Sequence, residues 1–282
     1  MKFLFFLLAL FGFYPCLAAT DYALVDAYAK DMRPLKSVAE LETLTKKLTR
    51  PFKTDAEKAR AILAWIVFNI DYDVYRAAHD SHADVEVKLN IQQDTTTGKK
   101  YIADAEVKDF FKNKDTTPQT LKTRLGICKD IARLYQKMGE YAKLEVATIS
   151  GFICEPSAEL DGHMWNAVKI DGVWKYVDPT WAVQEKGSPA VSQGRVFAQM
   201  RKREYNQILT QRARWNSPTK YARENRLVGD EWFLTDEEKM IQTHFPLERR
   251  WQLQKNRVIF EDFLSQKCHM TLDDFLNTLG SK

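Results

Sequence analysis

Glycine and proline are sparse in this chain, 11 and 9 of 282 residues, and no internal repeat is present, which excludes collagen-like and low-complexity architectures. Four cysteines are too few for a miniprotein stapled by disulfides. The balance of 42 Lys and Arg against 38 Asp and Glu leaves a formal charge of only +4, too little to imply a nucleic-acid partner. There is no glycine-rich phosphate loop and no Asp-rich loop with calcium-ligand spacing, so neither nucleotide nor calcium chemistry is implied. What the chain does hold is 45% apolar side chains, ample for a packed core. The length allows one large domain or one domain with an extension, and the second reading is favoured.

The one long apolar run stands at the start. Met1-Lys2 is followed by Phe3 to Tyr14 and then by Pro15-Cys16-Leu17-Ala18-Ala19-Thr20. A positive start, an apolar stretch of the usual ~7–15 residues and small residues after it form the pattern of a secretory signal peptide, cut after Ala18 or Ala19. The run is shorter than the roughly 20 residues a membrane span needs. Phe13-Tyr14-Pro15 before Cys16 does not suit a lipoprotein cleavage box. The expected destination is periplasmic or extracellular. Cys128, Cys154 and Cys268 then remain, and an odd number leaves at least one thiol unpaired within the monomer. Cys154 and Cys268 are read either as a disulfide or as two buried thiols.

Residues 21–75 predict helices. Ser37-Val38-Ala39-Glu40 and Thr54-Asp55-Ala56-Glu57 are both capping boxes, and the second opens an apolar stripe through Ala59, Ile62, Leu63, Ile66 and Ile70, with Trp65 beside it. Residues 79–116 carry little periodicity and read as a loop with a weak hairpin around Asp94–Gly98. Helices are expected from Thr117-Pro118 and just after Gly126, the latter with Ile127, Ile131, Leu134, Met138 and Tyr141 on one stripe. Then the period changes to two: Leu144–Ile153, His163–Ile170 and Val173–Val177 read as strands. A short helix capped by Thr271 and closed by Gly280 ends the chain.

Asp171-Gly172 is a two-residue hairpin turn, so Ile170 faces Val173, and continuing the register sets Trp165 opposite Asp178 and His163 opposite Thr180. His163, Trp165 and Ala167 then share a face with Trp174, Tyr176 and Asp178. His163 and Asp178 become diagonal neighbours with Cα atoms on the order of 7–8 Å apart, close enough for carboxylate and imidazole to meet. An imidazole so held is a positioned general base. Cys128, in the first turn of its helix, sits where the positive end of the dipole favours a thiolate, and is the best candidate nucleophile. The order is Cys, His 35 residues later, and Asp 15 after that.

Three segments resemble the core motifs of transglutaminase-like proteins: Arg124-Leu125-Gly126-Ile127-Cys128-Lys129-Asp130, Gly162-His163-Met164-Trp165-Asn166 and Trp174-Lys175-Tyr176-Val177-Asp178-Pro179-Thr180-Trp181. Trp65 to Asp73 is similar to that superfamily's preceding helix. Phe233-Leu234-Thr235-Asp236 and Thr243-His244-Phe245-Pro246, running to Trp251, resemble the tail of its kyphoscoliosis-peptidase and cytokinesis-protein-3 branch. The likeness covers about residues 54–253. It implies an α+β, papain-like architecture: a nucleophile helix packed on an antiparallel sheet, with N-terminal helices and a C-terminal extension. It implies Cys128 as nucleophile, His163 as base and then acid, and Asp178 as the residue that orients the ring. Lys129 departs from the small or aromatic residue commoner after the cysteine, and residues 79–116 are longer than usual.

The expected organisation is a signal peptide at 1–19, a helical segment at 20–53, a catalytic core at 54–190 and a basic and mixed extension at 191–282. The leading expectation is an exported cysteine peptidase or amidase acting on a protein or peptide, a cell-envelope peptide among the candidates, through an acyl-thioester and without a cofactor. Acyl transfer to an amine, as in a transglutaminase, and a non-catalytic peptide-binding module are the alternatives. The Cys128 amide and Tyr72 are candidate oxyanion donors, and Trp165 a candidate substrate contact, although Trp165 and Trp174 read first as sheet-face core and Asn166 as structural. His79 and His82 read as surface histidines rather than metal ligands, and His244 as packing. Between Gly194 and Arg226 stand nine Lys and Arg against Glu204 and Glu224, a candidate surface for an acidic partner but more simply a solvated helix face around Phe197, Met200, Tyr205 and Ile208.

Overall fold

The computed structural model describes residues 21–32, 35, 38–79, 85–109, 115–154, 160–184, 201–215, 226–255 and 257–280. The expected signal peptide, the Ser37 cap, His82 and most of the basic stretch lie outside these residues.

Helices α1 (Ala23–Asp31), α2 (Leu41–Thr49) and α3 (Asp55–Asn69) open the fold. At the start of α3 the predicted capping box is present: Thr54 Oγ1 accepts from the Glu57 amide at 3.2 Å, and the Glu57 carboxylate accepts from the Thr54 amide at 3.0 Å. From Ala59 to Asn69 every residue of α3 is buried, more than the single stripe expected, because α1, α2 and two later helices surround it. Arg60 is tolerated inside because its guanidinium binds both Asp26 oxygens at 2.8 Å and the Val228 and Gly229 carbonyls.

Strand β1 (Asp71–Tyr72) and helix α4 (Val74–His79) follow. The segment expected as a loop with a weak hairpin around Asp94–Gly98 is a hairpin about that turn and a long one, β2 (Val85–Gln93) antiparallel to β3 (Lys100–Asp109). Its turn is held by the Asp94 side chain, which accepts from the Thr96 and Thr97 amides at 2.8 and 2.7 Å, and by Gly98 at φ +72°. Val85, Val87, Leu89 and Ile91 alternate strictly with Glu86, Lys88, Asn90 and Gln92, which corrects the reading of little periodicity here, and Leu89, Ile91 and Ile102 pack against the C-terminal helices. After α5 (Thr117–Thr123), strand β4 (Leu125–Gly126) pairs parallel with β1, setting Tyr72 against Gly126 just before helix α6 (Cys128–Tyr141). The α6 residues Ile131, Leu134 and Met138 are buried as the stripe required.

Strands β5 (Val146–Cys154), β6 (Leu160–Ile170) and β7 (Val173–Val177) form the centre of a five-stranded antiparallel sheet against which α6 packs. Asp171 and Gly172 take φ of 49° and 82°, the turn that matches strand twist, and the register from Ile170↔Val173 to Asn166↔Val177 is the one derived above. It does not run on to Trp165 and Asp178. The Asp178 amide turns instead to the Trp232 carbonyl at 3.0 Å, and Pro179 opens helix α7 (Pro179–Gln184).

Helix α8 (Lys202–Trp215) carries part of the basic stretch. Its Tyr205 is buried, donates to Asp73 Oδ2 at 2.7 Å and stacks on Tyr75, with Lys202 over both rings. Arg226, at the end of the basic stretch, is buried, donates to the Val67 and Ile70 carbonyls and pairs with Asp71. Strand β8 (Phe233–Thr235) joins β7, helix α9 (Glu237–Met240) follows, and β9 (His244–Pro246) joins β5, giving the order β8-β7-β6-β5-β9. The extension expected after residue 190 therefore supplies both edges of the sheet. Helices α10 (Phe260–Lys267) and α11 (Leu272–Gly280) close an aromatic cluster of Phe152, Phe245, Phe260, Phe263 and Phe275, and the Thr271 cap expected for α11 is present. A disulfide joins Cys154 at the end of β5 to Cys268 at the end of α10, with Cα atoms 5.5 Å apart. Cys128 is free. No helix of the described residues is long and apolar enough to cross a membrane.

Candidate active site

Cys128 is the first residue of α6, after Ile127 in extended conformation (φ −89°, ψ 177°). Asp130 fixes this turn: its carboxylate accepts from the Ile127 amide at 3.1 Å and from Arg76 Nη1 at 2.7 Å. The thiol is thereby held at the helix N-terminus, half-buried rather than sealed. Lys129 beside it is buried.

His163 projects from β6 and is 8% exposed. Its Nε2 donates to Asp178 Oδ2 at 2.7 Å. Cys128 lies close enough to act on the same ring. The structure therefore brings Cys128, His163 and Asp178 together. Asp178 is fully buried at the end of β7, where its Oδ1 accepts from the Thr180 and Trp181 amides at 2.8 and 3.0 Å, capping α7.

Burial alone would depress the basicity of His163, but the Asp178 charge and hydrogen bond, aided by Cys128, outweigh it and push the imidazole up to about 10. Burial would likewise raise the Asp178 carboxyl, yet the charge and hydrogen bond of His163 and the hydrogen bond of His244 hold it well below the usual carboxylate range. The result is an imidazolium lodged between a carboxylate and a sulfur at neutral pH.

His244, read from the sequence as packing, is a residue of this cluster. It is fully buried on β9, its Nε2 lies 3.1 Å from the same Asp178 Oδ2, and its Nδ1 lies 2.8 Å from Thr243 Oγ1. The signals in the sequence were its place in the tail motif Thr243-His244-Phe245-Pro246 and the apolar residues that follow it. Nothing there tells which strand β9 joins. The donor atoms of His163, Asp178 and His244 lie within 4.8 Å of one another, a spacing that would also suit a cation. Each is already engaged in a hydrogen bond whose proton a metal would have to displace, so the set is satisfied without one.

Trp165 is fully buried, 6.0 Å from the His163 ring and 5.0 Å from the His244 ring, in the place the reading as sheet-face core gives it. Half-buried Trp181 packs edge-on against His244 at 4.5 Å. Asn166 points to the other face and donates to the Ala132 and Ala147 carbonyls, tying α6 to the sheet. Tyr72, set by the β1–β4 pairing, has its phenol raised well above its ordinary value, chiefly by burial and then by the charge of Cys128, and so stays a hydrogen-bond donor. His79 is exposed, donates from Nδ1 to the Tyr75 carbonyl at 2.9 Å and stacks on that ring.

Compared with known proteins, residues 39–189 match a family described as a transglutaminase-like domain. The kyphoscoliosis peptidase of Homo sapiens is 26% identical over 253 residues, 87% of this chain and 28% of that protein. Its Mus musculus counterpart is 25% identical over 237 residues, 81% of this chain and 26% of that protein. The chain thus spans about a quarter of the length of these curated relatives. Among solved structures, a candidate cysteine protease from Cytophaga hutchinsonii aligns with TM-score 0.32 and 17% identity over 56% of this chain and 42% of that one, too distant for residue correspondence. With the family match covering more than half of its length, the chain belongs to the transglutaminase-like domain family.

Proposed function

We propose that this protein is an exported, thiol-dependent enzyme that cleaves amide bonds in peptides. The observation that carries the reading is a free, half-exposed thiol at a helix N-terminus, close to an imidazole that a buried carboxylate holds at 2.7 Å. In this scheme the Cys128 sulfur attacks the carbonyl carbon. The tetrahedral oxyanion is met by the Cys128 amide, which has no acceptor within its helix, and by the Tyr72 hydroxyl. His163 then gives its proton to the leaving amine as the C–N bond breaks, leaving an acyl-thioester. A water molecule passes a proton to His163, attacks the thioester and releases the acid and the thiol. The leader-like residues 1–19 and the Cys154–Cys268 disulfide, a bond favoured in oxidising compartments, support export.

The test begins with iodoacetamide at neutral pH. With Cys154 and Cys268 paired, labelling of the mature protein reports Cys128. The expected rate exceeds that of a free thiol by at least about tenfold and drops to that level in His163→Ala. Slow labelling indifferent to His163 would overturn the enzyme and leave a binding module. Fluorogenic peptide amides, with and without an added primary amine, then separate water from amine as the acceptor: free acid supports a peptidase, and an amine conjugate replaces it with acyl transfer.

A further inference from the structure

Asp178 Oδ2 is approached by two imidazoles, His163 from β6 and His244 from β9. A carboxylate oxygen only accepts, so a neutral His244 must carry its proton on Nε2, and its Nδ1 must then accept from the Thr243 hydroxyl at 2.8 Å. The carboxylate thus selects the Nε2–H tautomer, and the Thr243 hydroxyl satisfies the other nitrogen by donating to it. Together with the Thr180 and Trp181 amides on Oδ1, the carboxylate receives four donors, two on each oxygen, and has no freedom to rotate away from His163.

Resting on the thiol-enzyme reading, we propose that His244 is a positioning residue, a neutral imidazole locked by Thr243 that holds Asp178 ionised and oriented toward His163. It does not touch the reacting atoms, being fully buried behind Trp165 and Trp181. Its neutrality follows from burial and from the adjoining His163 charge, which carry it down to about 4 against the pull of Asp178. The titratable groups acting on Asp178 are His163 and His244, and Tyr72 and Cys128 complete the surroundings.

Two variants separate donation from packing. His244→Phe keeps a ring and loses the donor, whereas His244→Gln restores an N–H near the Nε2 position. Asp178 binds a proton more readily when it loses a donor. The acid limb of the Cys128 alkylation profile should therefore move up by about one pH unit in His244→Phe and lie within about twofold of native rates in His244→Gln. The low-pH inflection that Asp178 imprints on the His163 ring resonances should shift in parallel, and thermal unfolding of each variant reports any general loss of stability. Native profiles in both variants, or equal displacement in both, would overturn the proposal. If native Cys128 reacts like a free thiol, the enzyme reading fails, while the His163 resonances still decide what His244 does.

Discussion

His163 and His244 stand on β6 and β9, strands separated in the sheet by β5, yet bond to the same oxygen of Asp178 at 2.7 and 3.1 Å. The same carboxylate drives the first ring up to about 10, while burial holds the second down to about 4. One site thus keeps one histidine charged and one neutral at the same pH, because the charge and hydrogen bond of Asp178 outweigh burial at His163, whereas burial and the His163 charge outweigh the pull of Asp178 at His244.

The neutral ring sets an acid limit on stability. With a folded value of about 4 against 6.5 for a free histidine, His244 leaves the unfolded chain binding the extra proton between those two pH values. The His244 contribution to stability is fully present above 6.5 and falls as pH drops through that window, by at most about 1.4 kcal/mol per pH unit for one proton, whereas that of His163 is full below 6.5 and is lost as pH rises toward 10. Asp178, whose folded value is lowered, adds its own loss only below 3.8. Thermal melts between about pH 7 and pH 4 should decline less steeply for His244→Gln than for the native chain. Parallel curves would contradict this assignment.

Tyr72→Phe removes a hydroxyl and leaves the ring. If that hydroxyl stabilises the oxyanion, kcat on a peptide amide should fall by about 10²–10³ with KM little changed. Iodoacetamide creates no oxyanion at a carbonyl carbon, so alkylation of Cys128 should stay within about twofold of native. A matching loss in both assays would mean that Tyr72 shapes the thiol's surroundings instead.

Gly151 lies opposite His163 on one side and Pro246 on the other. A Cβ there would fall inside contact distance of the Phe245 carbonyl oxygen and of the Trp165 indole. Gly151→Ala must therefore push β9 from the sheet or tilt Trp165, and either motion reaches His244. Amide exchange on β9 should accelerate and stability should drop by about 1–3 kcal/mol. Native exchange in this variant would show that the sheet edge has slack.

The Cys154–Cys268 bond closes a separation of 114 residues and ties α10 to β5. Replacing both cysteines by alanine should cost about 2–5 kcal/mol. Cys128 labelling should persist at temperatures where the variant remains folded, since the bond joins the phenylalanine cluster rather than the thiol's helix. A labelling rate that collapses in the folded variant would tie the C-terminal helices directly to the site.

Much of this site was legible because its determinants are local. A cysteine after Gly126-Ile127 starts a helix, Asp171-Gly172 imposes a register, and alternation then brings His163 and Asp178 to one face. The register was carried too far where it continued the ladder past Val177, because Asp178 and Pro179 leave it to begin α7. The hairpin at 85–109 was underestimated although Val85, Val87, Leu89 and Ile91 alternate with polar residues in its first strand, because its register with the second strand rests on a longer turn than a two-residue one.

His244 was beyond any reading of spacing. No tight turn links β9 to β5, so neither periodicity nor turn chemistry states that the two strands pair. The amino-acid sequence by itself determined the capped helices, the two-residue turn and the family of motifs around Cys128, because these follow from interactions between near neighbours in the chain. Only the tertiary structure decided which distant strand closes each edge of the sheet and hence which second imidazole reaches Asp178, because that depends on how apolar surfaces from distant segments pack together.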